Sequence, residues 1–188
     1  MKVSREQAAE NRERILDAAT QRFRERGFAG IGVADLMKEA GLTHGGFYGH
    51  FPSKEDLIAE ACARASQRSR ALWTKLAERA PDDPLAEIAR VYLTARHRDS
   101  PGAGCLIAAL GPDVARQGPT VRGAVTQGIR SALDFLSGIV PGRSRAARRR
   151  KAIASYAGMV GAMVLARAVN DRALSQEILD AVEASIGA

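Results

Sequence analysis

The sequence predicts an all-α protein of about nine helices. Residues that favour helix (Ala, Leu, Arg and Glu) are abundant, while aromatic residues make up only 5% of the 188 residues. Apolar residues recur three and four positions apart along most of the chain, as on one face of a helix. No stretch of four or more residues alternates convincingly between apolar and polar, so no sheet is predicted.

Start and stop signals divide the chain into these helices. The first runs from Ser4 to Arg26, with its apolar face at Ile15, Leu16, Ala19 and Phe23, and Gly27 ends it. Ser53 predicts the N-cap of a long helix that reaches about Arg79. The other predicted helices are a short pair between 33 and 50, then 85–97, 105–116 (bent near Gly111-Pro112), 119–139, 144–169 and 175–186.

The bulk composition limits the classes of function. A formal charge of +7 favours a polyanionic partner. No apolar run reaches the ~18–20 residues that span a bilayer, and the charged N-terminus lacks a signal-peptide core, so we predict a cytoplasmic protein with no membrane partner. Cys62 and Cys105 have no C-x-x-C spacing, which indicates neither a disulfide framework nor a zinc site.

The sequence lacks the motifs of common enzymes. It contains no H-E-x-x-H, no Walker A loop and no G-x-S-x-G, and Gly102-x-Gly104 lacks the third glycine and the preceding strand of a dinucleotide loop. The three histidines do not group with the cysteines in any metal-ligand spacing. We therefore predict no catalytic residue, no metal and no cofactor.

The most informative segment is residues 31–57, IGVADLMKEAGLTHGGFYGHFPSKEDL. Gly41 suits the left-handed turn that ends a short helix, and Thr43 follows where an N-cap should stand. Residues 44–50 then form one or two helical turns with almost no bulk. A segment with so little to bury is suited to being pressed against another surface, as the second helix of a helix-turn-helix is in the DNA major groove.

At these residues the chain resembles the TetR family of bacterial transcriptional regulators, over roughly its first 60 positions. The matching residues are Arg14–Ala19, Phe23, Gly27, Phe28, Val33, Leu36, Ala40–Thr43, Gly45, Phe47, Tyr48, His50, Phe51, Ser53, Lys54 and Leu57. The resemblance implies a helix-turn-helix DNA-binding domain at 1–52 and a regulatory domain for ligand binding and dimerisation at 53–188.

The resemblance also implies a function. A homodimer would bind a palindromic operator on double-stranded DNA, and a small-molecule effector would release it, as in a repressor. The alternative is a helix-turn-helix protein that acts through protein partners or binds DNA outside transcription.

The predicted DNA contacts lie in and beside the short second helix. Thr43 is expected to cap this helix and to meet a phosphate, and Tyr48 to contact a phosphate or a thymine methyl. Phe47 and Phe51 are assigned to the core of the module. The full predicted set is Thr43, His44, Gly45, Gly46, Tyr48, His50 and Lys54.

The chain departs from the family pattern at four positions. Relatives usually carry a threonine and a small or hydroxyl cap where this chain has Ile31 and Gly32, and often an arginine at Ala34. Gly46 replaces a residue that commonly faces the bases. We therefore expect fewer direct base and phosphate contacts, with specificity depending more on DNA shape.

The C-terminal helices are predicted to enclose an apolar cavity. Its candidate wall is Trp73, Tyr92, Cys105, Leu106, Leu110, Phe135, Tyr156, Met159 and Met163, although each could equally be plain core. His97 could fix the orientation of a ligand, but it lies in the charged stretch Arg96–Asp99 and is expected to be exposed. Cys105 stands at a helix start, where N–H dipoles favour a thiolate, so it could sense oxidants or electrophiles; a buried cysteine acting as a small hydrophobe is the alternative.

Small residues three and four apart on the helix from 144 to 169 predict close approach of another helix. This pair of helices resembles the four-helix dimer interface of the family, with intramolecular packing as the alternative. The predicted interface residues are Ala154, Ala157, Gly158, Gly161, Ala162, Leu165, Ile178, Leu179 and Val182.

Overall fold

The structure, a computed structural model, describes residues 4–187, so the predicted domain ends at 1–3 and 188 lie outside the described residues. The described chain contains nine α-helices, two short 3-10 helices and no strand. The α-helices are α1 (Arg5–Arg26), α2 (Val33–Glu39), α3 (Lys54–Arg79), α4 (Pro84–Tyr92), α5 (Ala95–Asp99), α6 (Leu106–Ala115), α7 (Pro119–Ile139), α8 (Arg145–Ala168) and α9 (Arg172–Gly187). The all-α prediction is confirmed.

Local signals act where the sequence predicted them. The Ser53 hydroxyl accepts the Asp56 amide at 3.1 Å and so caps α3. Gly27 and Gly41 have φ of 76° and 68°, which are left-handed values that favour glycine at the ends of α1 and α2. The turn signals therefore fix the boundaries of the amino-terminal helices.

Two predicted helix boundaries were wrong. The helix predicted over 85–97 is two helices, because Thr94 accepts the His97 amide at 3.2 Å and starts α5 after a break at Leu93. The last helix begins three residues earlier than predicted, at Arg172. Residues His44–Gly49 form a 3-10 helix, in which three glycines weaken the helical preference.

The buried side chains form two clusters. The first joins α1, α2 and the 3-10 segment to the amino-terminal half of α3 and to parts of α6 and α7. The second lies among α3, α4, α7, α8 and α9, with Trp73 and Leu76 of α3 in it. Helix α3, at 26 residues and about 39 Å, therefore spans both clusters as one rod. Helix α6 contributes Leu106 to the first cluster and Ala108 to the second.

Candidate nucleic-acid interface and internal cavity

The recognition segment, which we define as the 3-10 helix His44–Gly49, is fixed by Phe47. Phe47 is completely buried and stacks on the buried Phe51 with ring centroids 5.9 Å apart. The ring of its neighbour Tyr48 packs edge-on to Phe47 with centroids 5.2 Å apart, yet Tyr48 is 72% exposed. The assignment of both phenylalanines to the core is confirmed, and the segment presents Tyr48 on a rigid base.

The other predicted contact residues cluster beside Tyr48. Thr43, His44 and Gly45 are exposed, and Gly46 and His50 are partly exposed. The capping hydrogen bond expected of the Thr43 hydroxyl is not formed. Thr43 occupies the N-cap position, but its hydroxyl accepts no capping hydrogen bond from the segment.

Lys54 has a structural role that the sequence did not reveal. Its ammonium donates to the carbonyl oxygens of Phe28 and Ile31, each at 2.7 Å, and burial lowers the pKa of this lysine. It thereby ties the turn between α1 and α2 to the start of α3. Two of its three N–H donors are used inside the protein, and a DNA contact by Lys54 stays a prediction.

The glycines of the recognition segment are not required by internal packing. A Cβ built on Gly45 or Gly49 would meet no atom within 4 Å, and one on Gly46 would lie 3.7 Å from the Met37 methyl group. The protein's own fold therefore accepts side chains at all three positions. The bare backbone leaves room for an outside partner.

A cavity of about 380 Å³ lies in the second cluster, between α3 and the segment from α4 to α6. Its wall consists of Ser69, Leu72, Trp73, Leu76, Ile88, Val91, Tyr92, Thr94, Arg96, His97, Ser100, Ala103, Gly104 and Cys105. Three of the predicted wall residues, Trp73, Tyr92 and Cys105, are among them. This volume is at the lower end for small-molecule pockets.

The remaining predicted wall residues lie elsewhere. Leu106 and Tyr156 border an adjoining cavity of about 30 Å³, which shares Trp73 and Cys105 with the larger one. Leu110 is buried in the first cluster, and Met159 and Met163 in the second. The Phe135 ring lies under the Arg70 guanidinium, 3.6 Å from its centroid. These four line neither cavity, because helical packing turns them into the core, and their prediction as wall residues is corrected.

His97 was expected to be exposed, but it is half-buried and holds the start of α6. Its Nε2 accepts the Cys105 amide at 2.8 Å, so in the neutral ring the proton lies on Nδ1, which donates to the Tyr92 carbonyl at 2.7 Å. The ring packs edge-on to Tyr92 with centroids 4.4 Å apart. Burial is the main cause that lowers the pKa of His97. His97 is therefore neutral, and its Nε2 fixes the position of the Cys105 amide.

The hydrogen bonds of the neutral His97 ring predict a pH dependence of stability. The pKa of His97 is lower in the folded chain than in the unfolded chain, where it has its ordinary value of about 6.5. Below about pH 6.5 the unfolded chain therefore binds more protons at His97 than the folded chain does. The free energy of unfolding should fall as pH drops from about 6.5 towards the folded pKa. Urea unfolding at stepped pH measures this slope, and His97→Gln should flatten it. Equal slopes for the two proteins would refute the role of His97.

The two cysteines differ in their surroundings. Cys62 is buried in the first cluster, and desolvation raises the pKa of its thiol to about 12. Cys105 is also buried but borders both cavities of the second cluster. The sensor role of Cys105 stays a prediction.

Two arginines from distant helices hold α5 and the loop that joins it to α6. Arg24 of α1, which is only 8% exposed, donates to the Gly104 carbonyl at 2.8 Å. Arg167 of α8 donates to the carbonyls of His97 and Arg98 at 2.8 and 3.0 Å. The wall of the cavity is therefore connected directly to the helix that supports the recognition segment.

One face of α8 is apolar yet exposed. Residues three and four apart on it leave Ile153, Ala154, Ala157, Val164 and Leu165 open to solvent, with Leu165 55% exposed. Gly158 packs near Val182 of α9, where a built Cβ would lie 3.6 Å from a Val182 methyl group.

Ala162 and Leu179 are only 3% and 0% exposed, since they face the second cluster, so their prediction as interface residues is corrected. Gly161, Ile178 and Val182 are partly exposed. None of the described helices is long and apolar enough to cross a bilayer. Within residues 4–187, no three His, Cys, Asp or Glu side chains are grouped as metal ligands.

Comparison with known proteins agrees with this geometry. The family model for bacterial regulatory proteins of the tetR family matches residues 15–61, which contain the recognition segment. The HTH-type transcriptional regulator AcrR of Shigella flexneri is 29% identical over 90 residues, covering 48% of this chain and 42% of AcrR. The HTH-type transcriptional repressor NemR of Escherichia coli K12 is 28% identical over 131 residues, covering 68% of this chain and 66% of NemR.

The similarity extends to the whole fold. The crystal structure of a TetR-family transcriptional regulator from Agrobacterium tumefaciens superposes with a TM-score of 0.76 at 25% identity, covering 95% of this chain and 98% of the other. The sequence match to AcrR, by contrast, spans about two fifths of that relative's length. The family model thus matches the amino-terminal module, while the solved structure shares the architecture of nearly the whole chain.

Proposed function

The chain belongs to the TetR family of bacterial regulatory proteins, a family of DNA-binding transcriptional regulators and not of enzymes, and from that premise we propose that it is a ligand-responsive repressor. It acts in the cytoplasm as a homodimer on a palindromic operator. The observation that carries the proposal is the recognition segment, in which an exposed Tyr48 follows a fully buried Phe47.

The contacts with DNA would come from a bare and rigid surface. Tyr48 offers its hydroxyl to a phosphate or its ring to a thymine methyl. Thr43, whose hydroxyl makes no capping bond, and His44 reach the backbone beside it. The open glycines at 45 and 49 let nucleotides approach the main chain, and DNA shape supplies much of the specificity.

The exposed face of α8 supports the homodimer. Four of the six large apolar side chains that stay exposed in the described chain lie on α8 and α9: Ile153, Val164, Leu165 and Leu174. A twofold pairing of this face in a second copy would remove them from water and hold the two recognition segments at a fixed spacing.

The cavity and its connection to α1 support release by an effector. A small molecule that shifts Cys105 or Gly104 acts on the peptide that Arg24 holds at 2.8 Å. Arg24 lies on the helix whose Phe23 and Ala19 belong to the same core as Phe47. A displacement of the cavity wall would therefore tilt the amino-terminal module and change the spacing of the paired segments.

Footprinting on the intergenic DNA beside the gene tests the proposal. We expect protection of a discrete palindrome, with a log–log salt slope near about −5 for about six phosphate contacts per dimer. Weak binding without a preferred site would favour the alternative, a helix-turn-helix protein that acts through protein partners or outside transcription.

Tyr48→Ala should lower operator affinity at least about ten-fold, because the hydrogen bond or methyl contact is lost in both subunits. The fold should persist, since the side chain is 72% exposed. Gln127→Ala, which truncates an exposed side chain on α7 outside the recognition segment and the cavity wall, serves as the control and should bind normally. Fluorescence anisotropy with the footprinted duplex gives the affinities. A Tyr48→Ala protein with parental affinity would remove Tyr48 from the interface.

A further inference from the structure

Three buried side-chain atoms of the described residues have no hydrogen-bond partner: the Tyr92 hydroxyl, Arg24 Nε and Arg167 Nη1. Each carries a donor hydrogen. Arg24 and Arg167 bind the main chain between His97 and Gly104, and the Tyr92 ring packs on His97. Of these three residues Tyr92 lines the cavity, while Arg24 and Arg167 hold the main chain of lining residues. The Tyr92 hydroxyl therefore lacks an acceptor.

The charge around this wall is positive. Among the lining residues of the cavity, Arg96 carries a positive charge and no aspartate or glutamate is present. Neither Arg24 nor Arg167 forms an ion pair with a described carboxylate, and Glu25 and Asp99, the acidic residues near them, are already paired at 2.7 Å with Arg22 and Arg98. His97 adds no charge, because its lone pair is held by the Cys105 amide.

The Tyr92 hydroxyl is suited to bind an acceptor from the cavity. The side chain is more than nine-tenths buried, and burial raises the pKa of its hydroxyl, so the group keeps its proton and can donate it. The lining residues Trp73, Leu76, Ile88 and Val91 supply apolar surface beside it. A hydrogen bond from a buried neutral donor to an anion is stronger than one to a neutral acceptor.

From these observations we propose that the cavity binds a small apolar acid, with its ring against Trp73 and its single carboxylate or phenolate oxygen accepting a hydrogen bond from Tyr92. The inference rests on the proposed function, since it names the chemical class of the effector. The anion offsets the unpaired charge of Arg24 and Arg167 behind the wall. It also lies beside His97 and Cys105, at the peptide that connects the cavity to α1.

Calorimetric titration of the full chain without DNA tests the ligand class. The probes are 4-tert-butylbenzoate and the uncharged 4-tert-butylbenzamide, which have nearly the same shape. The acid should bind at least about ten-fold more tightly than the amide, as expected for a hydrogen bond to a charged group. Equal affinities for the two probes, or no binding of either at millimolar concentration, would overturn the proposal without any variant.

Tyr92→Phe removes only the hydroxyl and tests the contact itself. It should weaken the acid about ten-fold or more and weaken the amide less. Ser131→Ala removes a hydroxyl at an exposed position of α7 and should leave both affinities unchanged. Circular dichroism checks that each variant is folded. Unchanged acid binding by folded Tyr92→Phe would show that Tyr92 is not the donor.

The outcome separates this inference from the function it rests on. A protein that protects an operator but binds no acid keeps the proposed function and loses the ligand class. If the protein binds the acid through Tyr92 but protects no operator, the proposed ligand class stands and the proposed function as a repressor fails.

Discussion

Replacing Leu165 with glutamate should convert the proposed homodimer to a monomer and lower its operator affinity by about 100-fold or more. Leu165 is 55% exposed in the middle of the apolar face of α8. Burying a leucine stabilises an interface by about 1.5–3 kcal/mol, and a twofold dimer makes each contact twice. The glutamate loses both contacts and adds two charges that must be desolvated. Once the subunits separate, each recognition segment binds without the avidity of its partner.

Sedimentation velocity at micromolar concentration measures the oligomeric state, and anisotropy measures the affinity for DNA. Gln127→Glu is the matched control, because it adds the same charge at an exposed position of α7, outside the apolar face of α8 and the cavity wall. This control should stay dimeric. A dimeric Leu165→Glu protein would mean that another surface holds the subunits together.

The sequence predicts the elements whose signals are local. Gly27, Gly41 and Ser53 mark helix ends because their effect depends only on the backbone next to them. The division between the buried Phe47 and the exposed Tyr48 was expected from the resemblance and its motif. Thr94 is a cap of the same kind, but it stands inside a run with helical spacing, so the periodicity hid the break between α4 and α5.

The parts that the sequence did not predict depend on contacts between distant residues. Lys54, at a helix start, was predicted to bind a phosphate, yet its ammonium donates to the carbonyls of residues 28 and 31. The charges around His97 suggested an exposed ring, whereas the ring caps Cys105 from eight positions away. Small residues on α8 predicted a helix contact, but only packing decides which faces meet another helix of the same subunit. Ala162 and Leu179 face inward for that reason.

Arg24 joins positions 80 residues apart, and no local pattern reveals such a contact. It donates to the Gly104 carbonyl, and the amide of the next residue, Cys105, donates to His97. The peptide between the two cores is thus held at one end by α1 and at the other by α5. If both hydrogen bonds act on this one peptide, substitutions of Arg24 and His97 should have non-additive effects on the free energy of unfolding, although the two residues lie on different helices.

Arg24→Met should therefore lower the free energy of unfolding by about 1–3 kcal/mol, because methionine keeps much of the buried stem and leaves the Gly104 carbonyl without its donor. Combined with His97→Gln in a double-mutant cycle, it should show a coupling of at least about 0.5 kcal/mol by urea unfolding. Arg26→Met, an exposed change two residues away, should add to His97→Gln without coupling. Additive effects of Arg24→Met and His97→Gln would mean that the cavity wall and α1 move independently. The effect of the proposed ligand on the DNA-binding module would then have to be transmitted through α3.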